Sequence, residues 1–494
     1  MKYQSTRALS DRKTGTQAIV AGLAAGGGLY VPEQVPALPE GFLKSLLPLD
    51  YPRRAAAVLS LWLPELADSL EDMCRRAYAR FDDPAVAPVR SLGDHLHVLE
   101  LWHGPTLAFK DMALQLMPRL MTASSRLVGE TRTILILVAT SGDTGKAALE
   151  GFAGVPGVRI CVFYPQGGVS QAQRLQMVTQ EGDNTRVVAV QGNFDDAQTG
   201  VKAIFSDPAC AAALDREGIV LSSANSINLG RLVPQIAYYI SAYLDMVSQG
   251  AVPMGQPIDI CVPTGNFGNI LAAHYAQLMG LPVGRLVCAS NQNNVLSDFI
   301  QTGVYDKNRP FHLSTSPSMD ILISSNLERL LFELAGRDAG QVNAWMDQLR
   351  QTGRYALTGQ ALAALQGLMW GGWASEEEVS AQIKKCFQEQ HYLCDPHTAV
   401  AIKVARDYQA AHKTGRPLLV ASTASPYKFG RAVLGALESA QDLDDFACCH
   451  RLAALSGQQV PPAIAALPDK PVRHSTVCRK EDMWAALGPM AQGT

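Results

Sequence analysis

No two cysteines in this chain are spaced C-x-x-C. The ten are scattered, and the closest pair is the adjacent Cys448 and Cys449. That excludes the common zinc-ribbon and dithiol spacings, so no metal is expected, and it makes a disulfide framework a poor expectation. The thiols are read as reduced and the compartment as cytoplasmic. Net charge is small, formally -3, and no run of like charges stands out. Neither nucleic acid nor an anionic membrane surface is therefore an expected partner. Long apolar runs are missing: Thr133–Ala139 (TILILVA) is far too short to span a bilayer. The opening residues MKYQSTRALSDRK are polar and do not read as a secretory leader. Low complexity and short-period repeats are absent. What is present is a chain of 494 residues, enough for two to four domains and a large core.

The most informative stretch is Leu99–Asp111 (LELWHGPTLAFKD). An apolar run meets a Gly-Pro turn, and a single lysine, Lys110, then stands among apolar residues where a helix over Asp111–Met121 is expected to begin. Partial desolvation beside Leu107 and Phe109, and a helix N-terminus nearby, both favour a neutral amine. Such an amine can attack a carbonyl and form a Schiff base. An ordinary solvated lysine is the simpler alternative.

Five further segments carry polar or glycine-rich turns. Ile134–Val138 leads into Thr140-Ser141-Gly142-Asp143-Thr144-Gly145 and a helix to Phe152; this is a βαβ pattern whose turn could grip an anion such as a carboxylate. It is not a P-loop, because Ala147 follows Lys146 where Ser or Thr is required. Gly192-Asn193-Phe194-Asp195-Asp196 opens a helix, and its acidic pair is read as complementing the helix dipole. Asn225, Ser226 and Arg231 stand before a long apolar helix and suit a phosphate or carboxylate. Strand Ile258–Val262 runs into Gly265-Asn266-Phe267-Gly268-Asn269 and another helix, a cradle for one phosphate that lacks the dinucleotide G-x-G-x-x-G. Near the end, Ser422-Thr423-Ala424 follows strand Pro417–Ala421 and could serve a ring nitrogen, or simply form a hydroxyl-capped turn.

A desolvated lysine, a one-phosphate cradle and a hydroxyl cluster at strand ends together suit pyridoxal 5'-phosphate. In sequence the motifs Gly27–Pro32, His103–Asp111, Thr140–Gly145, Gly192–Asp196, Asn225–Asn228, Gly265–Asn269, Pro317–Leu322, Asp395–Val400 and Ser422–Ala424 occur in order. On them the chain resembles the threonine synthase family, of the type found in fungi and many bacteria. That family lies within the tryptophan-synthase-β-like (fold type II) group of pyridoxal-phosphate enzymes. Two departures stand out: Ala25-Gly26 precedes Gly27 where relatives often carry an acidic residue, and Ser425 and Tyr427 flank Pro426 where some relatives have His and Ala.

The resemblance implies an α/β fold with two sheet domains and an N-terminal unit. The expected boundaries are 1–95 for the N-terminal unit, 96–132 with 205–494 for the large cofactor domain, and 133–204 for a smaller inserted domain. It implies that Lys110 forms the imine and then acts as a mobile base. Gly265, Asn266, Phe267, Gly268 and Asn269 would hold the cofactor phosphate, and Thr423 the pyridine nitrogen. Thr140, Ser141, Gly142 and Thr144 would take the substrate carboxylate, with Asp143 at the cofactor's ring hydroxyl. Asn225, Ser226 and Arg231 would take the substrate phosphate. The implied reaction converts O-phospho-L-homoserine and water to L-threonine and phosphate, in a monomer or homodimer. A serine or threonine dehydratase of the same group, a silent phospholigand-binding relative and a nucleotide-binding protein stand as alternatives.

Overall fold

In a computed structural model, which describes residues 1–140, 142–167 and 169–492, two parallel sheets carry the chain. The larger sheet has six strands in the order Met369–Trp373, Val283–Ser290, Ile258–Pro263, Leu418–Ser422, Leu96–Glu100 and Val89–Gly93. All its pairs are parallel except the last, an edge hairpin. The smaller sheet has five parallel strands in the order Thr476–Arg479, Thr185–Gln191, Val158–Pro165, Thr133–Ala139 and Ile219–Ser222.

Continuous apolar runs such as TILILVA form these strands because helices cover both faces of a parallel sheet. The two-residue period then sorts each run between two cores. Ile134, Ile136 and Val138 join the same cluster as Ile258, Ile260 and Val262 of the larger sheet. Leu135 and Leu137 face a separate cluster with Met483 and Leu487, and Cys261, Leu418 and Val420 face another with Val400 and Val404. One core therefore lies between the sheets, and it includes the long buried helix Pro234–Ser248.

Three features depart from the expected layout. Strands Ile219–Ser222 and Thr476–Arg479 of the smaller sheet lie outside 133–204, and Val89–Gly93 of the larger sheet lies before residue 96. Pairing of parallel strands through long crossovers leaves no local trace in the sequence. The helix after Lys110 is broken: Asp111–Leu114 stops, and Met117–Val128 begins afresh with Pro118 in its first turn. Proline has no amide hydrogen to continue the earlier ladder. The N-terminal unit opens with a three-stranded antiparallel sheet, Arg12–Thr14, Lys2–Ser5 and Tyr30–Pro32. It is tied to the larger unit by Thr6 Oγ1 and Arg7, which both donate to the Glu328 carboxylate.

Candidate active site

The turn that carries Lys110 is built by its neighbours. Thr106 donates its backbone N–H and its hydroxyl to the two Asp111 carboxylate oxygens, each at 2.8 Å. A Cβ on Gly104 would stand 2.5 Å from that Asp111 side chain, so only glycine fits there. Leu107 takes a left-handed φ of 61°. The turn is then zipped to the Thr423 segment: Phe109 N–H donates to the Thr423 carbonyl at 2.8 Å, and Ser425 N–H to the Leu107 carbonyl at 3.1 Å. Lys110 and Thr423 are 313 residues apart in sequence, yet they line one cavity of about 280 Å³.

Lys110 is buried, with its Nζ 3.3 Å from Asp143 Oδ2 and 3.3 Å from Ser318 Oγ. Burial pulls the ammonium's pKa below the usual lysine range; Asp143 opposes that, while Lys428 and Arg231 reinforce it. The four-residue helix behind Lys110 leaves little dipole to contribute, so burial and neighbouring cations do the work.

The Gly265–Asn269 turn is firmly held. Ser324 Oγ donates to the Gly265 carbonyl at 2.7 Å, and Asn326 N–H to the Asn266 carbonyl at 3.1 Å. A Cβ on Gly265 would meet the Ser318 carbonyl oxygen at 2.5 Å, whereas one on Gly268 would make only ordinary contact with Ser226, at 3.4 Å. Phe267 caps the helix Gly268–Leu278 in a left-handed conformation, φ 65°. The first-turn amides of that helix have no intrahelical partners. Asn269 accepts from Tyr238 and Tyr239 through its oxygen, while its Nδ2 is buried and unpartnered. An orphaned donor beside free helix amides suits an anion.

Thr140 and Thr144 line the cavity. The Thr140 hydroxyl accepts from Gly142 and Gly145 N–H at 3.0 and 2.9 Å, and so caps the helix itself. Gly142 has φ 136° and packs against the Gln173 amide, which a Cβ would strike at 2.6 Å. Ser141 lies outside the described residues. Asp143 accepts from Lys110, from Lys428 at 2.8 Å and from Gln173 at 3.0 Å. Burial alone would raise its pKa, but the two lysines outweigh it and hold the carboxyl far below its usual range. Asp143, Lys110 and Lys428 thus form a buried ion cluster at the edge of the cavity.

Asn225, Ser226 and Arg231 line the same cavity. Arg231 is 5 % exposed, and the hydrogen bonding of its guanidinium among the described residues is one donation from Nη1 to the Ala224 carbonyl at 2.9 Å. Burial lowers its pKa to about 10, so it stays protonated near neutral pH. The rest of its donors are left for an anion.

Four groups in or at the cavity carried no assigned role in the sequence. Ser318 Oγ touches Lys110 and, at 3.4 Å, Asp143. Its backbone N–H donates to His397 Nε2 at 3.2 Å, and His397 Nδ1 contacts Asp395 Oδ2 at 2.6 Å. Because Nε2 accepts, the imidazole proton sits on Nδ1 and is donated to Asp395. Both residues belong to motifs quoted above, Pro317–Leu322 and Asp395–Val400, which were the available signal. Lys428 left no signal beyond its closeness to Thr423. Lys202 lies two turns along the helix opened by Asn193, at the cavity's rim with Phe194 and Gln198. The acidic pair at the start of that helix behaves as expected: Asp196 and Asn193 exchange reciprocal capping hydrogen bonds, each 3.0 Å.

Three family models match the chain. They are described as threonine synthase N terminus (residues 2–78), pyridoxal-phosphate dependent enzyme (85–423) and threonine synthase, C-terminal (398–486). The chain is 43 % identical to threonine synthase-like 1 of Macaca fascicularis over 86 % of its own length, and it spans 58 % of that relative. It is 40 % identical to threonine synthase of Pseudomonas aeruginosa, covering 88 % of this chain and 90 % of the relative. Among solved structures it is similar to a PLP-bound threonine synthase from Brucella melitensis, with TM-score 0.87, 38 % identity and 98 % coverage of each chain.

Proposed function

This chain belongs to the threonine synthase family of pyridoxal-phosphate-dependent enzymes, and we propose that it converts O-phospho-L-homoserine and water to L-threonine and phosphate. One observation carries the reading: Arg231, buried and without a carboxylate partner among the described residues, lines the same cavity as Lys110. A dehydratase acting on serine or threonine has no use for that cation, whereas a substrate bearing a γ-phosphate does.

The residues fit the cofactor. The Gly265 cradle has no room for a Cβ, Asn269 Nδ2 is an unused buried donor, and Lys110 is a buried amine with a lowered pKa. Gly265–Asn269 would hold its phosphate, Lys110 its aldehyde carbon and Thr423 its ring nitrogen. When bound, pyridoxal phosphate supplies an electron sink for negative charge at the carbons next to the substrate nitrogen.

The chain's own groups then divide the remaining work. Arg231, with Asn225 and Ser226, holds the substrate phosphate. Thr140 and Thr144 orient the carboxylate at the helix start. Lys110, once displaced by the substrate amine, takes the proton from Cα, gives it up to the electron sink, and then takes a second proton from Cβ. Phosphate leaves Cγ with the C–O electron pair and Lys110 delivers the Cβ proton to Cγ; water adds its hydroxyl at Cβ and its proton to the departed phosphate, and Lys110 carries the first proton back to Cα. Arg231 is placed to retain the departing phosphate, which keeps a proton acceptor close to the entering water. Phe194 and Ile323, at the rim, are apolar groups suited to limiting early entry of water.

No helix among the described residues is long and apolar enough to cross a membrane, and the ten cysteines are free thiols, nine of them buried. These support a cytoplasmic enzyme; monomer or homodimer is the expected state. The test is a direct competition: O-phospho-L-homoserine, L-serine and L-threonine offered to the cofactor-loaded chain, with products quantified. Threonine from the phosphorylated substrate supports the proposal, and ketoacid from serine or threonine as the main product contradicts it.

A further inference from the structure

Two buried lysines share one buried carboxylate in this cavity, and the closer of them is not Lys110. Lys428 Nζ is 2.8 Å from Asp143 Oδ1, against 3.3 Å between Lys110 Nζ and Asp143 Oδ2. Lys428 sits in the 3-10 turn Pro426–Phe429 and is 2 % exposed. Its ammonium also donates to the Thr106 carbonyl at 2.9 Å, in the turn that carries Lys110. The function proposed above gives this residue nothing to do, yet an isolated ammonium is costly to keep buried.

We propose that Lys428 is a positioning residue for Lys110: by occupying Asp143 at Oδ1 it denies Lys110 a full counter-charge and keeps the Lys110 nitrogen available as a free amine. This rests on the reading of Lys110 as the imine-forming lysine.

The surroundings of Lys110 support it. Asp143 faces it from the helix Asp143–Phe152, Lys428 from the 3-10 turn and Arg231 from the helix Leu229–Leu232. His397 lies one step away, behind Ser318, and Lys202 is exposed at the rim. Asp111, next in the chain, is turned toward Thr106 and Gln115. Asp143 is therefore the one anion presented to Lys110 by these groups. Its Oδ1 is engaged by Lys428 and Gln173, and the Oδ2 that faces Lys110 also accepts from Ser318. Thr106 O, gripped by Lys428, fixes the distance between the two lysine-bearing turns.

The experiment uses the full chain stripped of cofactor and mixed with pyridoxal phosphate. The visible band of the imine is followed in stopped flow from about pH 6 to about pH 10, because only the neutral amine reacts. The midpoint of rate against pH reports Lys110. Lys428→Met is expected to move that midpoint upward and to slow imine formation at about pH 7 by tenfold or more, about a factor of ten per unit. Lys428→Arg, which keeps the cation, is expected to retain the wild-type midpoint. In an Asp143→Asn background the Lys428→Met change is expected to shift the midpoint by less, through the direct repulsion between the two lysines alone. An unchanged midpoint in Lys428→Met, or an equal shift with and without Asp143, overturns the proposal. Should Lys428→Met fail to fold by circular dichroism, Lys428→Gln, which also removes the cation, is read by the same criteria. A wild-type chain that forms no band, or a Lys110→Ala chain that still forms one at its normal rate, refutes the reading of Lys110 itself rather than the role of Lys428.

Discussion

A single hydrogen bond among the described residues holds the Arg231 guanidinium: its Nη1 donates to the Ala224 carbonyl at 2.9 Å, and no carboxylate among the described residues pairs with it. An enzyme keeps such a buried cation for an anionic ligand, since an unpaired charge costs stability. Arg231→Met should therefore separate function from stability. It should lower kcat/KM for O-phospho-L-homoserine by about 10- to 100-fold, from about 1.5–3 kcal/mol for a lost charge-assisted bond. It should leave the thermal midpoint unchanged or raise it. Steady-state kinetics beside calorimetry check both halves.

The cradle should tolerate a methyl at one glycine and not at the other. Gly265→Ala would drive a Cβ into the Ser318 carbonyl oxygen at 2.5 Å, whereas Gly268→Ala meets Ser226 at 3.4 Å. Gly265→Ala is expected to lose pyridoxal phosphate on dialysis and Gly268→Ala to retain more of it, as read from the visible absorbance left on each protein.

The Asp395–His397–Ser318 chain should matter through an acceptor at the position of Nε2. His397→Leu orphans the Ser318 N–H, a loss of about 1–3 kcal/mol for a buried donor, and frees the Pro317–Met319 turn whose hydroxyl touches Lys110. His397→Gln places an amide oxygen near the same donor. The expected order of kcat is wild type, then Gln, then Leu, with KM changed less than kcat. Equal kcat in all three proteins would contradict the positioning role.

His103 gives a pH signature in the stability of the fold. Its Nδ1 is 2.6 Å from Asp82 and its Nε2 3.0 Å from Glu100. Burial would lower its pKa, but the two carboxylates outweigh that and carry it up to about 9. The folded value is raised above the ordinary 6.5, so the stabilisation is fully present below about pH 6.5 and is lost as pH rises through about 9. The difference in thermal midpoint between wild type and Glu100→Gln should be largest at about pH 6 and shrink by about pH 10. A difference that stays constant across that range would contradict the assignment.

What the sequence made legible was local. Strand, glycine turn and helix are consecutive at Ile258–Leu278, so that unit could be read from the sequence. Lys110 could be read from its apolar neighbours, although the break before Pro118 was hidden by an apolar pattern that continues through it. The three-stranded N-terminal sheet showed only its glycine turn and last strand. Contacts between distant segments were not legible: Ser318 meets His397 across 79 residues and Asp143 across 175. The ion cluster of Lys110, Asp143 and Lys428 exists because two sheets close on one cavity, and no periodicity encodes which strand of one sheet faces which turn of the other.

The central claim is that Lys110 and Arg231 serve one reaction on a phosphorylated amino acid. The most direct measurement follows phosphate and threonine together in one reaction of the cofactor-loaded chain with O-phospho-L-homoserine, beside Lys110→Ala. Equal amounts of the two products, both lost in the variant, are expected. Phosphate without threonine, or no phosphate from a chain that shows the imine band, would contradict the account.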